Sequence, residues 1–462
     1  MGIKQYDVVI IGGGISGLMM AYRLINKDSN INVCLIEKGK KLSDRKCPVV
    51  SKKVDKCIKC KSCAIMEGMA GAGAFSDGKY VISTEYGGWL PDILTNYEVI
   101  KYIEEADKIL VSCGATEERY VPSNELKKLC LQHDLHMQQA QIKHLGTDSN
   151  FATMQKLILE ISTRCEILTG TLVTDVDKNS KEVTLLSSDG TQAKIKGKKV
   201  VFAVGRAGSR YFSTWCEKNN IPLTNNQVDI GVRVELPAII WEDFSSKVYE
   251  PKIWYRSNKY NDVTRMFCFN DRGSVVTENT DGILTVNGHS YRGEDRKTQN
   301  SNFSLLSTIR FTQPFNHPID YARHVAKLGN LISGGGILVQ RLGDLVNGRR
   351  TDEKRLKQST TRPTLNAVPG DLSLCLPKRQ LENIVETLYA LDKVAPGTAN
   401  YNTLLYGIEC KYYSARPKCN YFEIDGCDGI YAIGDGAGFT RSLSQAAANG
   451  LYVADKILDN RS

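Results

Sequence analysis

The chain has 462 residues, 42% apolar and 24% charged, with 39 Gly and 13 Pro. This balance belongs to a globular protein of about three structural units, or of one domain interrupted by insertions, and it excludes collagenous, coiled-coil and disordered classes. Sixty Lys and Arg against 51 Asp and Glu leave a net charge of +9 spread along the chain, which suits anionic ligands and permits nucleic acid without indicating it. The longest nearly apolar run, 8–21, holds four glycines and is shorter than the roughly 18 residues of a spanning helix, so no membrane segment is expected. Met1-Gly2-Ile3-Lys4-Gln5-Tyr6 enters an apolar strand at once, with no room for a secretory leader. The fourteen cysteines therefore point to thiol, metal or redox chemistry in a cytoplasmic protein, not to a disulfide scaffold.

Val8-Val9-Ile10-Ile11 predicts a strand buried on both faces of a parallel sheet, and it runs into Gly12-Gly13-Gly14-Ile15-Ser16-Gly17. Helical spacing follows over 18–25, then a second strand at Asn32-Val33-Cys34-Leu35-Ile36, then Glu37, twenty residues after Gly17. Strand, glycines, helix, strand and acid in this order predict a dinucleotide-binding βαβ unit. Gly12 permits the tight turn, Gly14 lets the backbone approach a pyrophosphate, and Gly17 lets the helix pack closely. The first helical N–H groups, around Ile15 and Ser16, hold the negative charge. The Glu37 carboxylate accepts ribose hydroxyls and disfavours a 2′-phosphate, so the ligand is an FAD or NAD type of dinucleotide, with Lys38 beside it among the cofactor contacts.

Cys47, Cys57, Cys60 and Cys63 come next as C-x9-C-x2-C-x2-C, among Lys46, Lys56, Lys59 and Lys61. Thiolates at this density bind a metal or exchange electrons as a dithiol. The C-x2-C-x2-C part suits a 4Fe–4S cluster, and four cysteines equally suit tetrahedral zinc; unligated thiols are the plain alternative. The small-residue loop 68–79 follows directly, and its Gly71, Ala72, Gly73 and Ser76 suit close backbone approach to a planar ligand. Ile100, Ile103, Ala106, Ile109 and Leu110 carry helical spacing within 95–140. Strands and turns alternate over 173–201 as in a β-meander, and Val173 is counted among the cofactor contacts; short β-type runs dominate 229–286, and 379–391 returns to helical spacing. Ser333-Gly334-Gly335-Gly336 leads into β-type residues where a second fingerprint needs a helix, so it reads as a loop. A nicotinamide donor, NADH or NADPH, would have to visit a site that the sequence does not mark.

At the far end Gly429-Ile430-Tyr431-Ala432-Ile433 predicts a strand, followed by Gly434-Asp435-Gly436-Ala437-Gly438 and a small-residue helix over 444–458. This resembles the second flavin motif of the glutathione-reductase-type FAD fold, in which the Gly-Asp pair meets ribityl and phosphate groups and the next helix points its N-terminus at the isoalloxazine. The stretch 200–208, with Gly205 at its turn, is similar to the strand and turn by which the chain leaves that domain. The resemblance implies FAD as cofactor and an α/β fold class. A discontinuous Rossmann-like FAD-binding domain would cover 1–50, 150–210 and 425–462, a cysteine-cluster loop and helical insertion 51–149, and an inserted α+β substrate domain 211–424.

The run 60–79, His144-Leu145-Gly146-Thr147-Asp148, Gly231-Val232-Arg233-Val234-Glu235, Val286-Asn287-Gly288-His289-Ser290 and the 434–438 turn resemble the family of uncharacterised FAD-dependent (NAD(FAD)-utilising) dehydrogenases over nearly the whole chain. Two departures stand out. The family commonly has a second cysteine and Pro-Gly-Gly after the position of Cys268, where this chain reads Phe269-Asn270-Asp271-Arg272-Gly273. After Gly438 it reads Phe439-Thr440-Arg441-Ser442 where the family tends to be small and glycine-rich, which would put Arg441 near the flavin.

Flavin enzymes move hydride through N5, and the protein supplies orientation and an acid or base. His289 is the expected proton-handling group, with Arg233, Arg292 and Arg441 as anchors for a carboxylate or phosphate. His144 and Asp148 are expected to brace the flavin loop, and Arg349, Arg350, Lys354 and Arg355 to form a solvated basic face. The expected activity is an FAD-dependent oxidoreductase that transfers hydride to or from a C–C or C–N bond of an anionic small molecule, with an electron-donor protein as a further partner if the cysteines carry a cluster. A flavin enzyme that modifies a nucleoside in RNA or DNA, and a flavin- and cysteine-based redox sensor, are the alternatives.

Overall fold

The apolar run at the start of the chain becomes the strand Lys4–Ile11, in which Val8, Val9 and Ile10 are fully buried. The structure is a computed structural model that describes residues 3–48, 51, 53–54, 58, 60, 62–76, 78–280, 282–290, 297–312, 314–315 and 317–460, so Cys57 and Arg292 lie outside the described residues. Two units divide the chain. Met1–Arg119, Lys143–Asn226 and Ser414–Ser462 make the first, Tyr120–Ile142 and Gln227–Tyr413 the second.

In the first unit Lys4–Ile11 pairs in parallel with Val33–Glu37 on one side and Gln192–Phe202 on the other; Glu166–Thr169 and Ile430–Ala432 extend the sheet, again in parallel. Thr171–Val176, Glu182–Ser187 and the start of Gln192–Phe202 run antiparallel as the β-meander. The helix Ile15–Lys27 follows the glycine turn, and the helix Leu443–Asp459 packs on it. Their closest approach explains the small residues of the second helix: a Cβ on Gly450 would stand 2.1 Å from the carbonyl oxygen of Ser16. Ser442 caps that helix, accepting from the Gln445 N–H at 3.1 Å.

The helix Asn96–Ser112 is opened by a capping box in which Thr95 and Glu98 bond each other's backbone N–H, and it buries Val99, Ile103, Ala106 and Leu110. Gly205–Lys218, part of which the sequence reading places in the substrate domain, stays with the first unit. Its Phe212 and Trp215 rings lie 5.0 and 4.6 Å from Phe202, and Trp215 Nε1 donates to the Val176 carbonyl at 2.8 Å. The boundary falls at Asn226, not at 210, because these contacts tie the helix to the sheet it leaves.

The second unit holds a sheet with eight strands among the described residues, in the order Val368–Pro369, Leu338–Arg341, Leu404–Lys411, Val228–Pro237, Asn300–Ile309, Val263–Asn270, Lys252–Arg256, Leu135–Gln138. All neighbouring pairs but the first are antiparallel. Ile384, Leu388 and Leu391 of the helix Lys378–Asp392 share one core with Trp241, Phe244 and Phe303. The strand Leu135–Gln138 comes from a stretch whose spacing suggests helices; the helix Asn124–Leu131 precedes it, and the Leu135 and Met137 side chains then enter this core. The glycine run at 333–336 ends the helix Pro318–Ile332. The Gly334 N–H bonds Leu331, the Gly335 N–H bonds Asn330, and both glycines take positive φ, so the run is a helix stop followed by a strand.

Candidate dinucleotide-binding site

Each fingerprint glycine has a distinct steric reason. Gly12 leaves the first strand at φ +116°, and a Cβ on it would stand 2.3 Å from the Ala203 carbonyl oxygen. A Cβ on Gly17 would stand 2.2 Å from the oxygen of Gly12. Gly14, by contrast, has no atom within 4 Å of its missing Cβ, and Gly71 faces it, with its own Cβ position 3.2 Å from the Gly14 Cα. Two bare backbones thus border the open space at the N-terminus of the helix Ile15–Lys27, where free N–H groups and the helix dipole favour an anion.

That space belongs to a cleft within the first unit. Of the predicted cofactor residues, Gly12, Gly14, Glu37, Lys38, Gly71, Ala72, Val173 and Gly205 line it; Arg206 of the 200–208 stretch lines it too, and Tyr211 is an addition that the motifs did not point to. Glu37 is 7% exposed and accepts three backbone N–H groups, from Gly13 at 2.9 Å, Gly39 at 2.8 Å and Gly68 at 3.2 Å. A carboxylate offers about four lone-pair sites, so acceptor capacity remains for a hydroxyl in the cleft. Lys38 pairs with Glu67 at 2.8 Å on the rim.

The other predicted cofactor residues support this cleft. Ile15 and Ser16 are buried in the first helical turn, and Gly434, at φ +76°, comes so close that a Cβ on it would stand 2.8 Å from Ser16 Oγ. A Cβ on Gly436 would stand 2.4 Å from the Gly205 oxygen. The three glycine motifs, far apart in the chain, therefore meet. Asp435 accepts from Thr440 Oγ1 at 2.6 Å, and Arg206 Nε stands 4.0 Å from it. Burial pushes this carboxyl above its usual range, and Arg206, Thr440 and Arg441 pull it back. Gly73 packs on Leu443, its carbonyl accepting from Ser76 Oγ and Asn150 Nδ2, both at 2.8 Å. Asn150 belongs to no motif; only its long-range bonds reveal it.

Open backbone at Gly14 and Gly71, a helix N-terminus, and a buried acid with spare acceptor capacity fit the diphosphate and ribose of FAD. A model of the pyridine nucleotide-disulphide oxidoreductases matches residues 6–226, and a model described as FAD-dependent protein, C-terminal domain-like, matches 227–412. The chain is an FAD-dependent oxidoreductase.

The junction of the two family models coincides with the boundary of the two structural units. The oxidoreductase is 26% identical over 414 residues to an uncharacterized protein of Clostridium beijerinckii, covering 85% of this chain and 70% of that one. Among solved structures it is similar to glycine oxidase from Geobacillus kaustophilus, at 11% identity and TM-score 0.41, covering 99% of this chain and 95% of that chain. L-proline dehydrogenase from P. horikoshii stands at 13% identity and TM-score 0.40, with 99% and 95% covered.

Of the predicted metal ligands, Cys47 and Cys63 are half-buried free thiols and Cys60 is an exposed one; Cys57 lies outside the described residues. Among the described residues no group of three or more His, Cys, Asp or Glu side chains is placed to hold a metal ion. The Cys63 carbonyl accepts from the N–H groups of Met66 and Glu67, which turns the chain into the cleft wall.

Within the first unit Arg441 is half-buried beside Asp435, its N–H donating to the Gly87 carbonyl at 2.9 Å. His144 is buried at the end of the strand Gln141–His144, and Asp148 is exposed in the first turn of the helix Thr147–Ser162. In the second unit His289 is half-buried at the end of the strand Ile283–His289, opposite Ser274. Arg233 is fully buried. All five of its N–H groups are engaged within the unit: a bidentate fork on Glu409 at 2.9 Å, the Cys268 carbonyl at 2.8 Å, Asn302 Oδ1 at 3.4 Å and Asn287 Oδ1 at 2.9 Å. This geometry braces the sheet and leaves no donor for a ligand anchor. Arg349 and Arg341 likewise bond the buried Asp344, each at 2.9 Å.

Proposed function

We propose that the oxidoreductase transfers hydride between its FAD and a C–C or C–N bond of an anionic small molecule. The observation that supports the cofactor half is the open backbone border of Gly14 and Gly71 beside Glu37. FAD, when bound, supplies two-electron chemistry at N5. The chain's own groups hold and orient: Arg441, in the same unit as the cleft, is the anchor for the substrate anion.

The test is anaerobic titration of the FAD-loaded protein with a panel of small carboxylates bearing a C–N or activated C–C bond, and separately with NADH and NADPH, following the flavin absorbance. Bleaching by one carboxylate class, lost in Arg441→Gln, is the expected result. A flavin that no carboxylate or nicotinamide reduces, but that an acidic electron-carrier protein does, overturns direct hydride transfer. In that case the cysteine segment around Cys47, Cys57, Cys60 and Cys63 is the entry point for electrons. Iron, sulfide and zinc quantitation on protein purified without oxygen then separates a cluster of about four irons from zinc and from free thiols.

A further inference from the structure

Arg45 carries no motif, yet it is only 4% exposed. Its guanidinium donates to carbonyls on two separate stretches: Ala64 at 3.0 Å and Ile65 at 2.8 Å, directly after Cys63, and Met69 at 2.6 Å and Gly71 at 2.8 Å, on the cleft wall. A longer bond reaches the Gly68 carbonyl at 3.5 Å, and the Phe75 ring covers the guanidinium at 4.8 Å. The wall is moulded to it. Gly68 takes φ +116°, and a Cβ there would stand 2.7 Å from Arg45 Cδ.

Each of these acceptors is a neutral carbonyl. The neighbouring carboxylates of Glu37 and Glu67 favour the charge at longer range, but their oxygens bond backbone N–H groups and Lys38, not the guanidinium. A buried guanidinium without a directly bonded anion is costly, and the cost is reduced when an anion binds nearby. An arginine guanidinium keeps its charge at neutral pH even when buried. The Gly71 carbonyl that it holds belongs to the residue facing Gly14.

We infer that Arg45 is a positioning residue for FAD: it fixes the wall 64–71 opposite Gly14 and sets a positive charge behind the space that takes the diphosphate. This rests on the FAD reading of the cleft. The same guanidinium also ties Ala64 and Ile65, directly after Cys63, to the cofactor wall.

The test uses full-length apoprotein of wild type, Arg45→Ala and Arg45→Lys, with Kd for FAD and for ADP measured by fluorescence or calorimetry and thermal unfolding followed in parallel. ADP carries the diphosphate without the flavin. Arg45→Ala is expected to bind both roughly 10- to 100-fold more weakly, as expected when several buried charged hydrogen bonds are lost. Millimolar guanidinium should restore part of the affinity, and equal urea should not. Arg45→Lys keeps the charge but not the fork, and is expected to fall between the two. Should the alanine variant fail to fold, the lysine variant decides. Wild-type affinity in a folded variant, or a loss that guanidinium does not restore, overturns the role. A wild-type chain that binds ADP but not FAD overturns the cofactor reading and, with it, this role.

Discussion

Gly12 and Gly14 stand two residues apart and are glycine for opposite reasons. Gly12 is required by the fold, since it needs φ +116° and any Cβ would meet the Ala203 carbonyl; Gly14 has ordinary φ and an empty surround. Gly12→Ala is therefore expected to lose about 3 kcal/mol of stability in denaturant melts of the apoprotein. Gly14→Ala should melt like wild type yet lose most of its FAD affinity, because the new methyl projects into the space kept for the cofactor. Equal FAD binding by wild type and Gly14→Ala would remove the diphosphate from this place. Asp344 offers a second residue-level test. It is fully buried, and the hydrogen bonds of Arg341, Thr351 and Arg349 outweigh burial to hold its carboxyl below the usual range. A depressed folded-state value means that this carboxylate adds stability above the unfolded Asp value, about 3.9, and loses it as pH falls through the lower folded value. Asp344→Asn should thus cost about 3 kcal/mol at pH 7 and progressively less in the acid range, as read from urea midpoints across pH.

At the scale of elements, the helices Ile15–Lys27 and Leu443–Asp459 approach closely because Gly450 has no side chain. Alanine is the better helix former by about 1 kcal/mol, so on propensity alone Gly450→Ala would stabilise. Its Cβ would stand 2.1 Å from the Ser16 oxygen, which the backbone can relieve only by parting the helices. A net loss of about 1–3 kcal/mol in thermal unfolding is expected, and a net gain would show that the helices part at little cost. The periodicity of 8–37 and of 429–458 made these elements legible, since strand, turn and helix there follow from residues close in sequence. The strand Leu135–Gln138 was not legible. Four residues carry little periodicity, and its identity comes from pairing with Lys252–Arg256.

For the whole molecule, a ligand that binds only the folded chain stabilises it in proportion to the logarithm of its concentration over Kd, about 2.7 kcal/mol at a hundredfold excess. Adding FAD should therefore raise the unfolding temperature of wild type and leave that of Gly14→Ala nearly unmoved, as differential scanning would show. The sequence by itself determined the dinucleotide fingerprint, because glycine spacing and strand patterning reflect backbone sterics among near neighbours, while the flavin character of the far end and the α/β class came from its resemblance to flavin motifs. It also placed Glu37, whose role depends on its distance from the glycines along the chain. Only the tertiary structure decided what the polar side chains do. Arg233 reads as an anchor until Glu409, 176 positions away, is seen to take its fork; Arg45 belongs to no motif, and only the loop after Cys63 wrapped around it shows what it holds. The helix after Gly205 went to the first unit for the same reason. A long polar or aromatic side chain is committed by partners that the fold brings to it, and sequence spacing carries no record of them.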